Sequence, residues 1–447
     1  MKKAYYYLTF EQVSPLRISN GQHEESDSDL MLDGRGLPFI PGSSLAGIFR
    51  HKAVAMGISA DNENRLFGIV LPPKEKNGEN VIEKSAIIFN DAVLDKNTLR
   101  EGIAFNRRDG VGLGEWGTAK KTSKFDFQIA ETSCKFHSII EWAGNDEQYS
   151  DEIEKFIEPV IKNYVAEGIR VGARTSRGYG QFKLGVKKRI FVFPESLDRW
   201  IDFNPYDEKA FEDAETLTGE KNTISSIIDV SFKMISPFSV KVNTAKTELA
   251  EDGSVPDSVP MENYKGNPVI PGTAWAGAFR HHMHDLLRDT GVLEESDDMR
   301  ELDELFGMPG KLGGMKKSKI IFSETEISVS EKSVQKGAVM RTAIDRFTAA
   351  PRTSALFTNM VYNGGQGKLR IEFKHSDIEE KYLELLAACI CDLHLGLISL
   401  GGEGAVGRGI MQVEKVVSNG IEKTKLMIDS INNGSPLNWL KEDDKNA

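Results

Sequence analysis

Hydrophobic and polar positions alternate along YLTFEQVSPLRI, Tyr7–Ile18, and again along DVSFKMISPFSV, Asp229–Val240. Alternation of period two predicts a strand with one buried face. The same pattern places further strands near 4–12, 84–92, 133–142 and 178–193, then near 228–240, 317–327, 368–375 and 408–417. Apolar spacing of i, i+3 and i+4, clearest in YLELLAACICDLHLGLI, predicts helices near 43–57 and 148–167, then near 273–290 and 376–398.

Each half thus reads strand, helix, strand, strand, helix, strand. That order is the ferredoxin-like, RRM-like unit, so the chain is expected to be α+β with two tandem units and long inserted loops. Sequence blocks repeat as well. PFIPGSSLAGIFRHK at Pro38–Lys52 returns as PVIPGTAWAGAFRHH at Pro268–His282. A Leu-Phe-Gly and a β-rich run follow each copy, SAIIFNDAVL in the first and SKIIFSETEI in the second. AFNRRDG at 104–110 aligns with AIDRFTA at 343–349, pairing Arg107 with Arg346, and GARTSRGYGQF at 172–182 aligns with GGEGAVGRGIM at 401–411. Four blocks in one order indicate a duplicated domain. Pro41 is expected to lie over Pro271, and Gly178 over Gly407. The first domain is read as 1–194, an acidic linker as 195–225 and the second domain as 226–447. Trp200, Phe203, Tyr206 and Phe211 indicate that the linker packs.

Composition narrows the picture. A hydrophobic fraction of 40% with 28% charged residues in 447 residues fits two globular cores. There is no apolar run of membrane-spanning length and no signal-peptide pattern, so a cytoplasmic protein without membrane partners is expected. Cys134, Cys389 and Cys391 are too few and badly spaced for a disulfide framework or zinc site. The net charge of −11 argues against a protein that merely coats nucleic acid. Its acidic share is concentrated, however, at Asp202, Asp207, Glu208, Glu212, Asp213, Glu215 and Glu220. Basic residues gather at Lys120, Lys121 and Lys124 and along 170–189, which leaves room for a basic groove.

The repeated motif has a physical reading. Pro41 and Gly42 end an extended segment, and Ser43 or Ser44 is suited to cap the following helix. A helix N-terminus with hydroxyls at Ser43, Ser44 and Thr273, and with Arg50 or Arg280 further along, is a candidate phosphate site. GEGAVG at 402–407 matches G-x-G-x-x-G only formally, because a strand follows it where a dinucleotide loop opens a helix. Glycine loops carrying Arg174, Arg177 and Arg408 into a strand are better suited to a phosphate backbone.

With these motifs the sequence resembles the RAMP superfamily of CRISPR-associated proteins, and within it a fusion of two backbone subunits of type III effectors. The resemblance implies a subunit that binds guide RNA, meets complementary target RNA and sits beside other effector subunits. It also implies a loop aspartate, between the first strand and first helix, needed for cutting the target. HEESDSDLMLDGRGLPFIPG aligned with the matching loop of the second half sets Asp27-Ser28 against Asp257-Ser258. Asp29, Asp33 and Asp252 have no acidic counterpart, and Glu24 and Glu25 add only to the local charge. A carboxylate can deprotonate the attacking 2′-hydroxyl or hold a divalent cation, Mg²⁺ or Mn²⁺, loosely. No organic cofactor is expected. Arg107, Arg346 and FTAAPRTSALF at 347–357 resemble the hairpin that in the family reaches over the duplex, where an apolar residue can wedge between bases. RHHMH at 280–284 lacks partners for zinc, and His137 is expected to be packed or at the surface. The competing readings are a guide-dependent RNase with one site per half, a scaffold that binds RNA without cutting, and, more weakly, a processing RNase for which no histidine can be placed.

Overall fold

The alternation at the start of the chain folds as β1 (Lys2–Gln12). It sends Ala4, Tyr6, Leu8 and Phe10 into one core and Tyr5 and Tyr7 to the opposite face. The computed structural model describes residues 1–19, 21, 26–71, 81–113, 119–144, 147–220, 225–242, 255–291, 299–308, 316–328, 335–374 and 378–441. Glu24, Glu25 and Asp252 lie outside these, as do the side chains of Lys120, Lys121 and Lys124. The chain forms two compact units, one of Met1–Arg107, Asp126–Thr175 and Tyr179–Asn222, the other of Arg108–Phe125, Ser176–Gly178 and Thr223–Ala447.

In the first unit β1 is followed by α1 (Gly42–Ala55), β2 (Ile87–Phe89), β3 (Lys135–Gly144), α2 (Glu147–Glu167) and β4 (Gln181–Val192). The antiparallel sheet runs β4-β1-β3-β2, with Tyr6 opposite both Lys188 and Ile140. In the second unit β5 (Ser225–Met234), α3 (Gly272–Asp289), β6 (Ile320–Phe322), β7 (Gln366–Lys374), α4 (Glu380–His394) and β8 (Met411–Ser418) form a sheet of order β6-β7-β5-β8. Both sheets put their first and third strands in the middle. The fold is therefore α+β, built of two tandem ferredoxin-like units. The helices cover one face of each sheet, packing Leu45, Phe49, Ile157 and Ile161 in the first unit and Trp275, Phe279, Leu386 and Ile390 in the second.

The opposite faces differ. In the first unit that face carries Tyr5, Tyr7, Ile139 and Phe191, an apolar surface that water would leave exposed at a cost. The acidic segment read as a linker covers it. Phe203 packs 5.0 Å from Tyr5 and 4.9 Å from Phe191, and Trp200 donates its indole N–H to the Tyr5 hydroxyl at 3.1 Å. Phe211 is fully buried, Glu215–Thr216 adds a strand to the edge of β4, and Tyr206 is exposed. Residues 195–220 are thus part of the first unit, a correction to the linker reading. In the second unit the matching face is polar, and the guanidinium of Arg370 donates to Asp229 at 2.8 and 3.0 Å.

The structure also revises the reading of the repeated Pro-Gly motif. Pro41 and Pro271 are the cap residues, the helices begin at Gly42 and Gly272, and neither helix has a side-chain cap, so Ser43, Ser44 and Thr273 lie inside the first turn. The glycine is demanded by close approach. A Cβ on Gly42 would lie 2.2 Å from the Phe89 carbonyl oxygen, and one on Gly272 would lie 2.0 Å from that of Phe322. Gly47, by contrast, has open space around its Cβ position. Gly272→Ala is expected to cost about 1–3 kcal/mol, because backbone must shift to admit the methyl group. Gly47→Ala is expected to stabilise by roughly 0.5–1 kcal/mol through helix propensity. Thermal unfolding of the two variants checks this pair of opposite signs.

Candidate nucleic-acid interface and cleavage loops

Each long loop before the first helix of a unit lies along the return strand of a hairpin, and the hydrogen bonds repeat. Asp126 N–H donates to Asp27 Oδ2 at 3.0 Å, and Thr358 N–H donates to Asp257 Oδ2 at 2.7 Å. Two residues on, Gln128 N–H donates to the Ser28 carbonyl at 3.1 Å and Met360 N–H to the Ser258 carbonyl at 2.9 Å. Asp27 and Asp257 are both exposed. Their equivalence, deduced by sliding one loop sequence against the other, is thus matched by local geometry. The neighbouring acids have structural employment. Asp29 is buried and accepts from the Ser26 N–H and hydroxyl, while Asp33 holds a turn by accepting from the Arg35 and Leu37 N–H groups, as Asn263 does for Lys265 and Asn267. Those backbone donors, Leu37 first, lower the Asp33 pKa, with Arg35 adding to the effect.

Beside Asp27 stands a carboxylate that the sequence did not single out, Asp126. Asp126 accepts from the Asp27 N–H at 2.9 Å and pairs with Arg107 at 3.0 Å. The next residue, Phe127, points to the other face of the strand and is buried, with the guanidinium carbons of Arg17 and Arg174 4.5 and 4.4 Å from its ring centre and Tyr179 edge-on. Arg174 holds a left-handed backbone, φ 60°, and its counterpart Glu403 holds φ 69°. Outside glycine and asparagine that conformation carries strain and is uncommon. The two glycine loops share it because they share a path: Gly172, Gly178 and Gly180 match Gly401, Gly407 and Gly409 in positive φ.

The sequence matches the RAMP superfamily over residues 9–183 and 231–412, one segment in each half. The chain belongs to the RAMP superfamily. No curated protein matches it. RAMP membership makes it a CRISPR-associated protein and ties it to RNA and to CRISPR effector complexes. Among the described residues no helix is long and apolar enough to cross a membrane.

Within this RAMP chain several expected RNA contacts are reassigned. The α1 N-terminus already holds an anion, since Gly42 N–H donates to Asp91 Oδ1 at 2.7 Å, so it is not an open phosphate site beside Ser43 and Ser44. Arg50 is bound to Glu63 at 2.5 Å and Arg280 to Asp303 at 2.7 Å, each tying its helix to the next short helix, Ala60–Phe67 or Asp303–Phe306. The glycine loops keep the register read from the sequence, with Gly178 and Gly180 matching Gly407 and Gly409 in positive φ, so Tyr179 is the counterpart of Arg408. Arg408 is only 4% exposed and ion-paired with Glu403, so its charge is used internally; burial first, and then the like charge of Arg341, lower its pKa against the pull of Glu403. Arg177 is exposed.

Arg107 and Arg346 also occupy different places. Arg107 lies near the start of the strand Phe105–Leu113, whereas Arg346 lies in the tip turn of the hairpin Gln335–Ile344/Pro351–Asn363. Asp345 builds that turn by accepting from the Phe347 and Thr348 N–H groups at 3.0 Å, and Phe347 stands 89% exposed beside Arg346. Among the described residues, the histidines singled out by the sequence serve packing and pairing within the fold. His282 bonds Asp392 at 2.6 Å between α3 and α4, and His137 stacks on Tyr7 with burial lowering its pKa.

Asp126, Phe127, Arg17 and Tyr179 had one legible signal, the difference between copies. FDFQIA at 125–130 becomes FTNMVY at 357–362, and SPLRI becomes SPFSV. The strand alignment that turns these differences into a site requires the hairpin to be placed first.

Proposed function

We propose that this RAMP chain is a double backbone subunit of a type III CRISPR effector, which holds guide RNA by its phosphates and cuts the paired target RNA with Asp27 and Asp257. The observation that carries the reading is the repeated hydrogen bonding of the two exposed loop aspartates, one oxygen of each held by a backbone N–H. A carboxylate so oriented can take the proton of a target 2′-hydroxyl. The 2′-oxygen then attacks phosphorus and the bond to the 5′-oxygen breaks, with solvent protonating the leaving oxygen. The products are a 2′,3′-cyclic phosphate and a 5′-hydroxyl end.

The divalent cation expected from the sequence has no common ligand set in the two units. Asp126 stands beside Asp27, Thr358 stands beside Asp257, and among the described residues no group of three metal-binding side chains occurs. A scaffold without cutting activity is the second reading, favoured by one feature: a bond from Asp27 or Asp257 to the hairpin would pin the loop even if no chemistry followed.

Guide binding is tested by copurifying the chain with its genomic neighbours, sequencing the bound RNA, and reversing charge at Arg174 and Arg177. Spacer-derived guide should copurify. The reversal should lower guide retention and flatten its log–log salt dependence by about 0.7 for each single-strand phosphate that is no longer neutralised. Unchanged retention across salt concentrations would remove these residues from the interface.

A further inference from the structure

Three cations from three separate elements converge on one carboxylate in the second unit. Glu403 Oε1 lies 3.8 Å from Lys241 Nζ and 3.6 Å from Arg341 Nη1, accepts from Asn359 Nδ2 at 2.7 Å, and its Oε2 pairs with Arg408. Lys241 precedes the long loop, Arg341 belongs to the hairpin, and Arg408 follows the glycine loop. Glu403 is itself mostly enclosed, its side chain 17% exposed, while Lys241 and Arg341 each keep a third of their surface in solvent.

The matching position of the first unit carries the opposite charge. There Arg174 lies over Phe127 with Arg17 close by, and the backbone path is the same. We infer that Glu403 is a built-in stand-in for a phosphate: it fills an anion site formed by Lys241, Arg341 and Asn359, so that the second unit holds an RNA phosphodiester weakly where the first unit holds one firmly. The chemistry follows from charge and shape. A carboxylate offers two oxygens to clustered cations much as a phosphodiester does, and a tethered anion competes at high effective concentration. An RNA phosphate arriving at this site must displace Glu403, whereas the same place on the backbone path of the first unit carries a cation, Arg174, and no carboxylate. The inference rests on the RNA-binding reading above and adds an asymmetry to it.

The probe is a single-stranded oligouridylate of about twenty nucleotides, titrated into the full chain over a range of salt. Arg174→Gln should weaken binding, and Arg341→Gln should leave it nearly unchanged because that charge is already neutralised. Glu403→Gln should strengthen binding about five- to tenfold, the scale of one charge-assisted hydrogen bond, and steepen the salt slope by about 0.7. Added to Glu403→Gln, Arg341→Gln should cancel the gain. Because Arg408 is buried and would lose its partner, Glu403→Gln is also made with Arg408→Tyr, the residue found at position 179, and this pair should show the same gain. If Arg174→Gln weakens binding while neither Glu403 variant strengthens it, the stand-in is overturned and the RNA reading survives. If neither Arg174→Gln nor Glu403→Gln changes binding, both fall. A loss on Arg341→Gln equal to that on Arg174→Gln also overturns the inference.

Discussion

Asp27→Ala is expected to erase one of two cuts in a guide-paired RNA, and Asp257→Ala the other, with the remaining cut unchanged in position. Removing a general base lowers the rate of the affected step by at least about 100-fold, so each product should vanish from a gel on the timescale of the wild-type reaction. Affinity for the target should stay within about twofold, because a carboxylate beside a phosphate backbone repels it before reaction and contributes nothing to holding it. Both cuts should leave a cyclic phosphate. End-labelled target, separated on a sequencing gel with the purified effector, reads all of these outcomes. If the double alanine variant cuts at both positions, the scaffold reading holds and the nuclease lies in another chain.

Lys188→Met is expected to destabilise the first unit by about 2–3 kcal/mol. Lys188 lies on β4, 6% exposed, between Glu154 and Glu158 of α2, and Glu158 also meets the Tyr6 hydroxyl at 3.4 Å. Burial opposes the lysine charge, but its hydrogen bonds to the two glutamates outweigh burial, and its pKa rises above the usual lysine value. Removing it leaves two partly enclosed carboxylates facing each other without a cation. The cost of breaking a buried pair is about 3–5 kcal/mol, and the partial exposure of both glutamates reduces it here to about 2–3 kcal/mol. In a unit of this size that lowers the melting temperature by roughly 4–12 °C. Lys188→Met combined with Glu154→Leu and Glu158→Gln should recover most of the loss, since the glutamine still accepts from Tyr6 and no charge is stranded. Because the folded pKa is raised, the wild-type contribution is complete below the ordinary lysine pKa of about 10.4 and fades as pH climbs through the higher folded value. A melt insensitive to Lys188→Met would mean that the glutamates are fully solvated.

The two expectations draw on different amounts of sequence information. The equivalence of Asp27 and Asp257 was legible because the I-P-G motif fixes a common origin in both loops, and counting back from it aligns one acid with one acid. Lys188 was legible only as a member of a basic run. Strand pairing decides that it points toward α2, while Lys187 and Arg189 point to the side covered by the acidic segment. Arg50, Arg280 and Arg408 look alike as cations near functional motifs. Only their partners, Glu63, Asp303 and Glu403, show that each charge is used inside the fold.

The sequence by itself determined the duplicated α+β plan, the order of strands and helices in each unit, and the pairing of the two aspartate-bearing loops. Those features rest on local periodicity and on a repeated motif, and both are properties of neighbouring residues. The tertiary structure alone decided that Gly42 and Gly272 exist to clear a strand carbonyl and that Asp91 occupies the α1 N-terminus. It also decided that residues 195–220 are a cover for Tyr5, Tyr7 and Phe191. Each of these depends on groups far apart in the chain meeting within a few ångströms. Charge and packing act through distance in space, which the linear order of residues does not state.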